Sequence, residues 1–188
     1  IVMMIVSLIA AFILWPLIQE TAIERMEEAT AGGDLSQDQI DKIMGAQRII
    51  GLVGAPLGFF IQILIIAGIL LFAGNVLLGG SQPYKKVLSI YAYTSLIGIL
   101  SYAVTIAIAL SKQSMEVYIS PAAFFPPEAQ DTALFHIAAV FDLFLIWQLI
   151  VVSIGMSVIY RVTTGKALSV VGGIYLVVAA IMVVVQSL

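Results

Sequence analysis

The chain has 188 residues, 62% of them hydrophobic and 10% charged, with mean hydropathy +1.13 and a net charge of −3. Soluble domains carry about 25% charged residues, so too few polar side chains are present to cover a water-facing surface, and the acidic balance argues against nucleic acid as a partner. Cysteine is absent, which excludes a disulfide framework and thiolate chemistry.

The apolar residues fall in runs near the ~20 residues that cross a bilayer as helix. The pattern predicts an all-α membrane protein: a bundle of five transmembrane helices, forming one membrane domain over residues 1–188 and surrounded by lipid. The first run, 1–18, carries no charge and ends at Trp15 and Pro16, with the indole where an interfacial anchor would sit. A removed signal peptide would show a basic flank and a small-residue cleavage pattern, and neither is visible. The run opens at Ile1 without an initiator Met, so residues ahead of it are expected.

Residues 19–48 form the one long polar stretch, with seven acids (Glu20, Glu24, Glu27, Glu28, Asp34, Asp38, Asp41) against three bases. Ile23, Met26 and Thr30 recur at helical spacing before Gly32-Gly33 breaks the pattern. Ser36 followed by Gln39 is a capping-box start, and Ile40, Ile43 and Met44 line one face behind it. This predicts an amphipathic helical hairpin between the first and second spans, folded over helix ends. A cation or partner site is the sharper alternative.

The second run, 49–78, places Pro56 among Gly51, Gly54 and Gly58, so the helix is expected to bend there. Small residues at i, i+4 (Gly51/Ala55 and Gly54/Gly58) would let another helix approach closely, and a protein partner or a second copy could use that face. Gly79-Gly80 ends the run. The third, 87–110, is rich in hydroxyls: Tyr91, Tyr93, Thr94, Ser95, Ser101, Tyr102 and Thr105. Residues 111–132 make a stiff loop with Pro121, Pro126, Pro127 and an aromatic tip at Phe124-Phe125. The fourth run, 133–160, carries Asp142, Trp147 and Gln148; the fifth, 167–188, is uncharged.

Lys85 and Lys86 sit in the short second loop, and Arg161 and Lys166 in the short fourth. Basic residues concentrated near span ends face the cytoplasm. The acidic hairpin and the proline loop are therefore expected outside.

Three stretches resemble the Yip-type family, the Ypt-interacting-protein membrane domain. LLGGSQPYKKVLSIYAYTSLIGIL (77–100) is similar to the family's Gly-Gly loop and the aromatic-rich helix after it. FDLFLIWQLIVVSIGM (141–156) sets an acid before an aromatic, a Trp and a Gly at the family's spacing, and GKALSVV (165–171) opens the last span as family members do. The matching positions are Gly79, Gly80, Tyr93, Asp142, Trp147, Gly155 and Gly165. The resemblance covers about residues 49–188, and the acidic hairpin is similar to that of prokaryotic members. It implies a five-helix membrane domain. Eukaryotic relatives sit in endoplasmic reticulum and Golgi membranes, bind Rab-type GTPases and help vesicles form; prokaryotic relatives have no settled role, and some look like companions of transport systems. The trafficking members' cytosolic Asp-Leu-Tyr-Gly-Pro motif is not seen ahead of Ile1. Their Gly-Tyr-x-x-x-Pro here reads Ala92-Tyr93-Thr94-Ser95-Leu96-Ile97, without the Gly or the Pro. A prokaryotic member in a cytoplasmic membrane is therefore expected.

Asp142 is the one formal charge placed well inside a predicted span. Such residues face the bundle interior and often mark ion or proton paths; the plainer role is a structural acid that ties helices together. Counted as nine residues, or ~13 Å, into a fourth helix, Asp142 reaches the depth of Ser101 and Tyr102 on the third, with Thr105 one turn away. These four are the predicted intramembrane polar cluster. His136, the sole histidine, lies about 240° around the helix from Asp142. It is read as an interfacial polar residue, with an external cation site shared with Glu128 or Asp131 as the alternative. No nucleophile–base set, phosphate-binding loop, metal motif or cofactor signature is present. The sequence predicts a non-enzymatic membrane scaffold or accessory subunit. The alternative is a small ion or proton channel or transporter using the Asp142 region.

Overall fold

The structure, a computed structural model, describes residues 2–29, 39, 42–43, 45–46, 50–130 and 132–186. Every regular element among them is helical. In chain order these are α1 (Val2–Ala29), α2 (Ala55–Ala73), α3 (Tyr84–Thr94), α4 (Ile97–Lys112), α5 (Ala133–Val140), α6 (Leu143–Tyr160) and α7 (Thr164–Gln186). Wide, π-helical turns flank α2 at Ile50–Gly54 and Gly74–Gly79, and two 3₁₀ turns, Pro121–Phe124 and Pro127–Ala129, shape the proline loop. Five stretches are long and apolar enough to cross a membrane: Val2–Ile23, Pro56–Gly79, Tyr84–Lys112, Leu143–Tyr160 and Thr164–Val185. The all-helical, five-span architecture read from the sequence is thus the architecture observed.

The element boundaries depart from the sequence reading in three places. First, α1 does not stop at Trp15-Pro16 but runs through Pro16 to Ala29, so the first part of the acidic stretch extends α1 rather than forming a separate helix. Proline removes one backbone bond of the helix interior, and a long helix keeps its remaining ones. The break at Gly32-Gly33, the start at Ser36, and Ile40 and Met44 of the expected stripe lie outside the described residues. Second, the hydroxyl-rich run is two helices joined by a tight turn, where the Ser95 amide donates to the Tyr91 and Tyr93 carbonyls and the Ser95 hydroxyl to the Ala92 carbonyl. Third, the run 133–160 is interrupted at Phe141-Asp142.

The chain divides into two compact units, with boundaries inside α2 at Ile61-Gln62 and inside α4 at Leu100-Ser101. In the first (residues 1–61 and 101–117), Leu14 and Leu17 of α1 are buried with Ala109 of α4, flanked by Ile18, Ile106 and Val117. Among the described residues, a methyl group built on Gly51 or Gly58 would meet no atom within 4 Å, and one on Gly54 would meet Ile50 Cγ2 at 3.6 Å.

In the second unit (residues 62–100 and 118–188), α6 is the central element and packs on both α3 and α7. Its core joins Leu70 and Leu78 from α2 and the turn after it, Val87 of α3, Val152, Met156 and Tyr160 of α6, and Ala167 and Val171 of α7. Gly155 lets α3 come close, since a methyl there would stand 2.6 Å from Ile90 Cγ2. A smaller cluster sets Phe135 of α5 on Ala122, with Tyr118 and Phe125 edge-on to its ring.

Candidate functional site

The interruption before α6 is built by its own sequence. The Thr132 hydroxyl caps α5 by accepting the Phe135 N–H at 3.2 Å. After Val140 the backbone leaves helical geometry through Phe141 and Asp142, and the Asp142 carboxylate accepts the Leu145 N–H at 2.9 Å. That bond makes Asp142 the N-cap of α6, a role for which Asp is among the best side chains, with its charge at the favourable end of the helix dipole. The Leu143 N–H, which no intrahelical carbonyl can satisfy, donates to the Ile119 carbonyl of the proline loop at 3.0 Å. On the other side of the break, the Val140 carbonyl accepts the Tyr175 hydroxyl from α7. Asp142 therefore stands at the start of the span Leu143–Tyr160 rather than nine residues inside a continuous one. Ser101, Tyr102 and Thr105 belong to the first unit and Asp142 to the second.

The opposite end of α6, ~27 Å away at 1.5 Å per residue for 18 residues, holds a polar knot that the sequence reading passed over. Asn75, in the wide turn after α2, accepts the Tyr160 hydroxyl at 2.8 Å and the Gln82 amide N–H at 3.0 Å. The Gln82 side chain donates to the Ile159 carbonyl of α6 at 2.8 Å and accepts from Lys86 Nζ at 3.3 Å. Glycine is required around the ring: a methyl on Gly74 would lie 2.5 Å from Tyr160 Cζ and Oη, and one on Gly80 2.8 Å from Cδ1. Gly79 adopts φ +76°, a conformation glycine adopts without a Cβ penalty. Residues 75, 82 and 160 thus clamp the end of α2, the start of α3 and the end of α6. An amide next to a glycine inside an apolar run, Gly74-Asn75, was the available signal.

The chain then turns into α7 through Arg161 in left-handed geometry (φ 55°), its N–H bonded to the Ser157 carbonyl. The Lys166 N–H is bonded to the Thr163 hydroxyl. Lys85, Lys86, Arg161 and Lys166 are all exposed. Of the other family-pattern positions, Tyr93 and Trp147 face outward at 76% and 45% exposure, and Gly165 has open space around it. His136 is half-buried, its ring edge-on to Phe135. Among the described residues no three His, Cys, Asp or Glu side chains gather as a metal site would require.

Each buried serine and threonine among the described residues bonds a backbone carbonyl three or four residues earlier. These are Ser7 to Met4, Thr94 to Ile90, Ser95 to Ala92, Ser153 to Leu149 and Ser157 to Ile154.

Compared with known proteins, the sequence matches the Yip1 domain over residues 1–186. No curated protein and no solved structure matches it.

Proposed function

The chain belongs to the Yip1 domain family of membrane proteins, and from that premise we propose that it acts as a non-catalytic scaffold or accessory subunit of a prokaryotic cytoplasmic membrane. The observation that carries this reading is the local satisfaction of the buried serine and threonine hydroxyls, each on its own helix's backbone three or four residues away, while the buried Tyr160 hydroxyl is closed onto Asn75. A conductor needs polar groups turned toward a shared path at one depth, because an unmet polar group in hydrocarbon costs several kcal/mol. Hydroxyls bonded back along their own helix serve packing instead. The Asp142 carboxylate, the candidate for a conducting role, is engaged as a helix cap.

Membership of the family by itself brings no GTPase partner here, since the Tyr93 segment lacks the Gly and Pro of the trafficking pattern. The end bearing Lys85, Lys86, Arg161 and Lys166 is assigned to the cytoplasm by the basic-residue rule, which puts the proline loop outside. The small-residue face at Gly51 and Gly58, where a methyl group would meet no atom of the described residues, is the surface assigned to a partner helix or a second copy. Reconstitution into liposomes carrying a pH-sensitive dye tests the functional reading. Proton or cation flux should equal that of protein-free vesicles, and flux that Asp142→Asn abolishes would replace the scaffold with the conducting alternative.

A further inference from the structure

We propose that the basic end of the second unit is a binding site for the phosphate-bearing headgroup of an anionic phospholipid, beyond any scaffold role. Lys85 and Lys86 lie in the first turn of α3, Arg161 directly after α6, and Lys166 in the first turn of α7. The Gln82–Ile159 and Asn75–Tyr160 bonds fix the start of α3 to the end of α6, and Ala167 of α7 shares a core with Val87 and Tyr160, so four charges remote in sequence are held at one end of one unit. No acid occurs in 74–90 or in 157–170. None of the four makes an ion pair among the described residues, and the sole side-chain bond any of them makes is from Lys86 to the neutral Gln82.

The opposite end of the unit reverses this pattern. The described residues of 118–142 include Glu128 and Asp142 and no Lys or Arg. Each base lies within a few residues of the end of an apolar helix, the depth at which lipid phosphates stand. Clustered bases beside a span attract anionic lipid by up to about fivefold in affinity per residue. A soluble acidic partner would have to compete with that phosphate layer.

The test is the full chain reconstituted in phosphatidylcholine bilayers with a trace of spin-labelled phosphatidylglycerol or spin-labelled phosphatidylcholine, reading the fraction of immobilised label. Wild type should immobilise phosphatidylglycerol several-fold over phosphatidylcholine, and added salt should weaken the preference by screening. The combined variant Lys85→Gln, Lys86→Gln, Arg161→Gln, Lys166→Gln should bind the two labels equally. Because that variant could fail to assemble, the charge-keeping variant Lys85→Arg, Lys86→Arg, Lys166→Arg is run beside it and should retain the preference. Equal immobilisation of both lipids by wild type, or loss of the preference in the arginine variant, would overturn the proposal. Inorganic phosphate that abolishes the preference at an ionic strength where chloride leaves it intact would assign the site to free phosphate and overturn the lipid assignment.

Discussion

Replacing Gly74 by alanine puts a methyl group into the Tyr160 ring, and the structure says how much that should cost. The built Cβ stands 2.5 Å from Cζ and Oη and 2.7 Å from Cε2, well inside van der Waals contact. The ring has little room to move: Tyr160 is 6% exposed, Gly80 lies against its other edge, and its hydroxyl is held by Asn75. Overpacking of this kind costs about 1–3 kcal/mol, against a backbone gain of roughly 0.5–1 kcal/mol for replacing glycine inside a helix. Gly74→Ala should therefore destabilise the protein by about 1–2 kcal/mol. Tyr160→Phe would leave Cζ in place and lose only the bond to Asn75, on average about 0.6 kcal/mol for a hydrogen bond within a membrane. In a Tyr160→Ala background the clash is gone, and the same Gly74→Ala change should be neutral or slightly stabilising. The coupling energy between the two sites is then about 1–3 kcal/mol. Reversible unfolding in mixed micelles with rising dodecyl sulfate, followed by circular dichroism, gives all four corners of the cycle. An equal cost for Gly74→Ala in both backgrounds would show that the ring does not fill that space.

Other consequences follow from the two ends of α6. Asp142→Asn should keep the cap and stability, because Asn caps as well as Asp, whereas Asp142→Ala should lose about 1 kcal/mol in the same unfolding assay. Tyr175→Phe removes the donor to the Val140 carbonyl and should loosen the break before α6, read as faster amide hydrogen exchange at Phe141–Leu143 with little change near Tyr160. Since the chain has no native cysteine, single-cysteine variants are clean probes of sidedness: in intact cells an impermeant thiol reagent should label Ser120→Cys and spare Ser81→Cys. The opposite result would invert the orientation.

Hydropathy made the five spans legible because each is a run of apolar residues long enough to cross a bilayer, and composition alone left no other place to bury them. Hydropathy is blind to where a helix changes direction. The run 133–160 stays apolar through Phe141, yet Asp142 stops the helix by offering its carboxylate to the Leu145 N–H, a preference visible in the residue type but not in the periodicity. Pro16 misled in the opposite sense, since a proline that would end many helices is carried inside α1. The Gly-Gly loop was readable as an end, and its φ of +76° at Gly79 explains why glycine stands there. The partner that makes Gly74 and Gly80 necessary, Tyr160, is 80 or more positions away along the chain. No local pattern announces a contact across that separation, so the Asn75–Gln82–Tyr160 knot emerged only from the fold.

Polar groups satisfied inside dry protein are what the scaffold role requires, and thiol accessibility in α6 tests this directly. Ser153 is 0% exposed and Ser157 6% exposed, both bonded to carbonyls of their own helix. Serine to cysteine is a small change at either site. In liposomes, a hydrophilic thiol reagent should leave Ser153→Cys and Ser157→Cys unreacted while modifying the exposed Ser81→Cys readily. Reaction at Ser153→Cys at a rate comparable to Ser81→Cys would reveal an aqueous path through the second unit and contradict the scaffold reading.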